Sequence, residues 1–433
     1  MLYQKIHKTL FKAVCALSVL TLTAVSGGCA DQNQRKMEAP TLTVEAESFI
    51  SNSGNISIVN ENKSVVSVQT KEDDAWLSYK INIPTSGRYT IKLFARNSSA
   101  KEAVCWIEDY IDNKDGRTYD VSGKLIITGK DQKSLSFVQK DGTPMAASSH
   151  YLKLHIEKGT VIFDKLTFTL IREHQTTPVV IRSNTEGKEW KLIWSDEFNG
   201  QGLPDSTKWT FDIGNWGWGN NELQYYTTRR IENARQENGN LIMEARKNDY
   251  GYPWSSSRLT TRGKESFLYG KIEFRAKVPV GRGTWAAGWL LGDNYIDELS
   301  WPYCGEIDVM ENVGYELDEN SGNGKTHASV HCGAYYFKLN NQPTAIVDVE
   351  NMHDGFHTYA IEWMPKAIAI SIDGKKYFDY HDTTNNLSWP FDKPQNLILD
   401  LAIGGGWGGA KGIDSTLTSQ KMILDYIRVY QLK

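Results

Sequence analysis

From about residue 42 the chain alternates apolar and polar positions with a period of two. In "WLSYKINI" the apolar set is Leu77, Tyr79, Ile81 and Ile83; in "YTIKLFA" it is Tyr89, Ile91, Leu93 and Ala95; in "YLKLHI" it is Leu152, Leu154 and Ile156. Period two is the signature of strands with one face on a core. Turn chemistry such as "PTSG" and "EKGT" separates the runs, and no helical periodicity competes. Residues 42–172 are therefore predicted to form a β-sandwich, with Trp76 inside an alternating strand and expected in its core. Residues 173–189 lose the alternation and are expected to be a linker. After Trp190 a second all-β pattern begins with "KLIW" and ends with "MILDYIRVYQ". These runs are closer to continuous hydrophobicity, as in a larger sandwich whose sheets are both partly covered. The predicted fold is all-β, two β-sandwich domains, the second spanning residues 190–433.

The first 29 residues read differently. Lys5, His7, Lys8 and Lys12 lead into the apolar run "AVCALSVLTLTAV", too short to span a bilayer and followed by small residues. This is the pattern of an export signal. "SGGC", ending at Cys29, resembles the lipid-attachment site of bacterial lipoproteins, with Ser26 where that pattern usually carries Leu, Val or Ile. The expectation is an exported protein anchored to a membrane through Cys29, with polar residues 30–41 as a tether.

Composition narrows the function. Net charge is −4, from 48 basic and 52 acidic residues, which excludes a nucleic-acid binder. No dense basic cluster suits a heavily sulfated polymer. Of 14 Trp only Trp76 and Trp106 precede residue 190, so indoles crowd the second domain, where some are expected to stack on sugar rings. Cys15 leaves with the signal, and Cys105, Cys304 and Cys332 are expected to be free, mostly buried thiols. A monomer is expected.

The chemistry concentrates in "WPYCGEIDVMENVG". Side chains alternate along a strand, so Glu306 and Asp308 share a face. Glu311, three residues on, joins them only if a β-bulge absorbs one residue. Three carboxylates on one sheet face are costly to bury and point to acid–base work. Retaining glycoside hydrolysis needs two carboxyls about 5–5.5 Å apart, and the inverting reaction about 6.5–9.5 Å; spacing in the sequence leaves both open. The alternatives are calcium ligation, whose ligands usually come from loops, and a solvated acidic strand, which would not intersperse Ile307, Val309 and Met310.

"GEIDVMENVG" resembles the catalytic strand of glycoside hydrolase family 16, in the bulged E-x-D-x-x-E form of laminarinases. "WGNNELQYYT", "GTWAAGWLLG", "FHTYAIEW" and "LILDLAIGGGWGG" extend the resemblance over residues 190–432. It implies a concanavalin-like β-jelly-roll with a concave cleft, Glu306 as nucleophile, Glu311 as acid/base and Asp308 assisting. It also implies substrate contacts from Asn220, Arg258, Trp285, Trp289, Trp301, His331 and Trp407, with His327 competing for the role of His331. No cofactor is implied for catalysis, but a structural calcium is, on Glu197, the Gly239 carbonyl and Asp425. The first domain resembles family 6 carbohydrate-binding modules through "VEAESF" and "GTVIFDKLTFTL", which implies Trp106 and Tyr110 as sugar platforms and Glu47 and Asp164 as calcium ligands. The expected activity is a retaining endo-β-1,3-glucanase on laminarin-like β-glucans. Mixed-linkage β-1,3/1,4-glucans are the second substrate, transglycosylation is a competing outcome, and a non-catalytic surface glycan-binding protein is the alternative class.

Overall fold

The computed structural model describes residues 39–433 except 61–65, 71–73, 99–101, 111–116, 130–133 and 176–179. The export signal, Cys29 and most of the tether lie outside the described residues. The fold is all-β, and the helical residues described are three single-turn 3₁₀ segments. No described helix is long and apolar enough to cross a membrane.

Two six-stranded antiparallel sheets make the first sandwich. Alternation sorts the side chains as the sequence predicts: Leu77, Tyr79, Ile91, Leu93, Leu152 and Leu154 are buried between the sheets. Trp76 differs. It belongs to the outer set of Ala75–Asn82 and is only partly buried. The period-two pattern already places it opposite Leu77, and hydrophobicity alone had suggested the core. Across the outer face its register partner is His155, itself opposite Trp106. Trp106 stacks on His155 at 4.1 Å and 7°.

The second sandwich packs a nine-stranded sheet on a ten-stranded one. Phe274, Ile361 and Ile427 of the ten-stranded sheet share one buried core with Ile307, Val309 and Met310 of the other. Strand Val180–Ser183, in the segment expected to be a free linker, joins the nine-stranded sheet by pairing in parallel with Glu265–Leu268. Arg182 adds a two-pronged ion pair to Glu265, at 3.0 and 3.1 Å. Four residues of alternation are too few to stand out in sequence.

The two sandwiches are joined by more than this strand. Leu291, Tyr295, Leu299, Trp301, Cys304 and Ile398 of the second belong to the same buried cluster as the core of the first. Cys105, Cys304 and Cys332 are free and buried, as expected.

Candidate active site

Strand Glu306–Val313 lies between Thr284–Gly292 and Gly324–His331 in the nine-stranded sheet. Opposite Thr284–Gly292 the register runs Leu291 to Glu306 and Trp289 to Asp308, then resumes at Gly288 to Met310 and Ala287 to Glu311. Val309 is the extra residue of a β-bulge. Ile307, Val309 and Met310 all enter the core, and Glu306, Asp308 and Glu311 share the opposite face and line one cleft.

Each acid is held by a neighbour. The Trp301 indole N–H donates to Glu306 Oε2 at 3.0 Å, and the Trp285 indole N–H donates to Glu311 Oε1 at 3.0 Å. Ser329 Oγ donates to Asp308 Oδ2 at 2.9 Å. His331 Nε2 stands 3.3 Å from Asp308 Oδ2 and 3.8 Å from Glu306 Oε1. Burial raises the pKa of all three acids, since a charged carboxyl loses hydration it cannot recover in the protein. The negative charge of Asp308 adds to the rise at both glutamates, while His331 and the indole donors oppose it. Glu311 is raised well above the ordinary carboxyl range. The trio is therefore arranged to keep at least one proton near neutral pH.

The cleft has two lobes that share Asn220, Trp285, Glu306, Glu311 and Phe337. The narrow lobe, about 110 Å³, is lined by Trp216, Trp218, Arg258, Trp289, Tyr295, Glu298, Trp301 and Lys338. The wider lobe, about 510 Å³, is lined by His327, Ser329, His331, Gln342, Thr344 and Trp407. All seven residues predicted to contact substrate therefore reach the cleft, though several do other work.

Trp301 is only 8 % exposed and donates to Glu306, and Trp285 is tied to Glu311, so both indoles serve the acids as hydrogen-bond donors. Trp289 donates to Asp400 at 2.6 Å and carries the Arg258 guanidinium over its ring at 4.7 Å. Arg258, expected to reach sugar hydroxyls, is largely buried and paired to Asp212 at 3.3 Å. Trp407 meets Trp285 and His327 edge-on, at 5.2 and 4.8 Å, in the wider lobe. His331 is the histidine beside the acids; His327 bonds Glu316 at 2.6 Å. Asn220 donates to Glu222 at 3.2 Å.

Sequence reasoning missed Asp400, Glu222 and Glu298. Asp400 accepts from Tyr226 at 3.0 Å as well as from Trp289, and burial raises its pKa despite Arg258. Burial and then the charge of Asp400 push Glu222 up to about 8. The signal for Asp400 was present, a single acid inside the apolar run "LILDLAI". Strand Gln395–Ile403 is buried throughout.

The predicted calcium donors do not fit as arranged. Glu197 is held by Arg428 at 3.0 and 2.7 Å, and Asp425 is hydrogen-bonded to Arg275. Each carboxylate already faces a guanidinium, which satisfies its charge and repels a second cation. Gly239 forms a left-handed turn residue, φ 75°, between two paired strands. In the first sandwich Glu47 is exposed and Asp164 faces Lys165 at 3.5 Å.

Comparison with known proteins agrees with this geometry. The model of glycosyl hydrolases family 16 matches residues 221–428. The Beta-glucanase of Rhodothermus marinus is 45% identical over 250 residues, 56% of this chain and 85% of that protein. The structure of the laminarinase from Rhodothermus marinus aligns with TM-score 0.53 and 44% identity over 56% of this chain and 98% of its own. That of SCLam, a non-specific endo-beta-1,3(4)-glucanase, aligns with TM-score 0.52 and 40% identity over 56% and 92%. The shared part holds the bulged strand and its three acids, and the chain belongs to glycosyl hydrolases family 16.

Proposed function

We propose that the protein is a retaining endo-β-1,3-glucanase that hydrolyses laminarin-like glucans by double displacement. The observation that carries this reading is the bulge at Val309, which brings Glu306, Asp308 and Glu311 to one face of the cleft. Their environments divide the labour. Glu311 is held protonated by burial and by the charge of Asp308, which suits the acid that protonates the departing glycosidic oxygen. Glu306 has the Trp301 N–H and His331 beside it, groups that favour its anion, and it attacks the anomeric carbon as the glycosidic bond breaks. Esterified Glu306 carries no charge, so the pKa of Glu311 falls. Glu311 then takes a proton from water, whose oxygen displaces Glu306 and regenerates its carboxylate. Asp308, bonded to Ser329 and close to His331, tunes both glutamates.

A second substrate, mixed-linkage β-1,3/1,4-glucan, is supported by the likeness to SCLam, described as non-specific between the two linkage types. Export, anchoring through Cys29 and a monomeric state complete the proposal, supported by residues 1–29 for the first two. A sugar-binding role like that of family 6 modules for the first sandwich has thinner support, because one face of Trp106 is already covered by His155 and Lys153 sits over Tyr110.

The test is reducing-sugar release from laminarin, barley mixed-linkage glucan, carboxymethylcellulose and agarose, beside the Glu306→Gln variant. Release from laminarin that the variant loses is the expected result. Activity confined to agarose would overturn the substrate, and retention of laminarin without any turnover would favour a binding protein.

A further inference from the structure

The narrow lobe of the cleft is built against the first sandwich. Its Tyr119 hydroxyl, buried at the interface, donates to the Trp301 carbonyl at 2.8 Å. Arg117 donates to the Leu299 carbonyl at 2.9 Å and lays its guanidinium over the Tyr303 ring at 3.8 Å. Lys338, which lines the lobe, sits over the Tyr119 ring at 4.0 Å. The facing wall is gripped as well: Asp141 and Asn215 exchange hydrogen bonds at 2.9 Å, just before Trp216 and Trp218. Gly123 approaches the Trp216 carbonyl so closely that an added Cβ would lie 2.5 Å from it.

Segment 299–303 is a run of turns without strand partners of its own, so the conformation of Trp301 depends on what holds its backbone. The Trp301 indole in turn holds Glu306. A chain of contacts thus runs from the first sandwich to the reacting carboxylate: Tyr119 hydroxyl, Trp301 carbonyl, Trp301 indole, Glu306 Oε2.

We propose that the first sandwich is a working part of the catalytic site, with Tyr119 a positioning residue, seconded by Arg117, that holds the Trp301 indole on Glu306. The match to the Rhodothermus marinus laminarinase covers 98% of that chain but 56% of this one, so this support is an addition to the shared catalytic fold. Loss of the Tyr119 hydroxyl leaves a buried carbonyl without its donor, and the local cost falls on segment 299–303. The groups facing Glu306 are Asp308 and Glu311 on its own strand, His331 on the neighbouring strand, the buried Cys304 thiol two residues before it, and Trp301 from the turn segment. Only the last changes when Tyr119 is altered.

The role assumes Glu306 as nucleophile, so the experiment has one arm that needs turnover and one that does not. Tyr119→Phe is compared with Trp301→Phe, the double variant, and a control, Lys124→Ala, whose exposed partner is Glu157. The expected loss for Tyr119→Phe is roughly three- to thirty-fold in kcat with little change in KM, the scale of a small misplacement of a reacting group. Its acidic limb of kcat/KM is expected to move to higher pH, because the N–H that favours the Glu306 anion is loosened. In the Trp301→Phe background the same substitution is expected to add almost nothing. Independently of substrate, the indole ¹⁵N–¹H resonance of Trp301, assigned by its loss in Trp301→Phe, is expected to move in Tyr119→Phe and stay in Lys124→Ala. An unmoved resonance overturns the positioning role whatever the activity, as does a uniform drop at all pH values that adds fully to Trp301→Phe. Absence of wild-type turnover with a moved resonance would instead strike the enzymatic reading and leave the structural link standing.

Discussion

Glu306, Asp308 and Glu311 could be picked out from the sequence because charge in an apolar strand is rare and their spacing has one economical explanation. The work of individual tryptophans was less legible. An indole has a ring face and an N–H, and sequence cannot say which is used; Trp285, Trp289 and Trp301 all direct the N–H at a carboxylate. Two predictions belong at this scale. Glu306→Gln is expected to lower kcat by about 10³-fold or more with substrate still bound, read by single-turnover kinetics and affinity electrophoresis. Glu311→Gln is expected to raise thermal stability at neutral pH. Folding raises the pKa of Glu311, so its burial costs nothing below the unfolded value of about 4.3, and the cost grows as pH climbs toward the folded value. The melting temperatures of variant and wild type should thus coincide near pH 4 and separate above it. A variant less stable than wild type at pH 7.5 would contradict the burial argument.

At the scale of the element the decisive feature is the bulge. A slip of one residue moves a whole strand's side chains to the other face. The sequence states the demand for a bulge but not its position; the pairing with Thr284–Gly292 places it at Val309. Deletion of Val309 removes the extra residue, so pairing with Thr284–Gly292 becomes continuous and Glu306, Asp308 and Glu311 stay on the cleft face. The lost Val309 side chain is expected to lower stability, and the shortened span between Asp308 and Glu311 to lower activity, without loss of the fold. An unchanged far-UV dichroism spectrum with a lowered melting curve and residual turnover would show it, and a deletion variant that fails to fold or loses all activity would contradict the bulge at Val309. The alternating strands were readable because each buries one face, whereas Val180–Ser183 and the turn segment 299–303 were not. Their conformations are set by distant partners, Glu265–Leu268 for one and Tyr119 for the other.

For the whole molecule, two separate domains on a linker was the natural expectation, and the structure shows two sandwiches sharing a buried cluster. Interface chemistry of this kind has no local pattern. Asp212 shows why: a buried carboxylate of the second sandwich, it pairs with Arg88 of the first at 3.2 Å and with Arg258 of the cleft at 3.3 Å. Asp212→Ala removes the carboxylate that Arg88 hydrogen-bonds and that faces Arg258 together with Asp400, and is expected to cost about 3–5 kcal/mol. The shared core also predicts one cooperative unfolding transition for residues 39–433, and two well-separated calorimetric peaks would contradict it. The claim on which the rest depends is that these carboxylates cleave glucan with retention. The most direct measurement is the proton NMR spectrum of the first products released from a β-1,3-linked gluco-oligosaccharide, recorded before mutarotation. The account predicts that the β-anomer of the new reducing end appears first, from cleavage of an internal bond; the α-anomer appearing first would mean inversion and would remove Glu306 from the role of nucleophile.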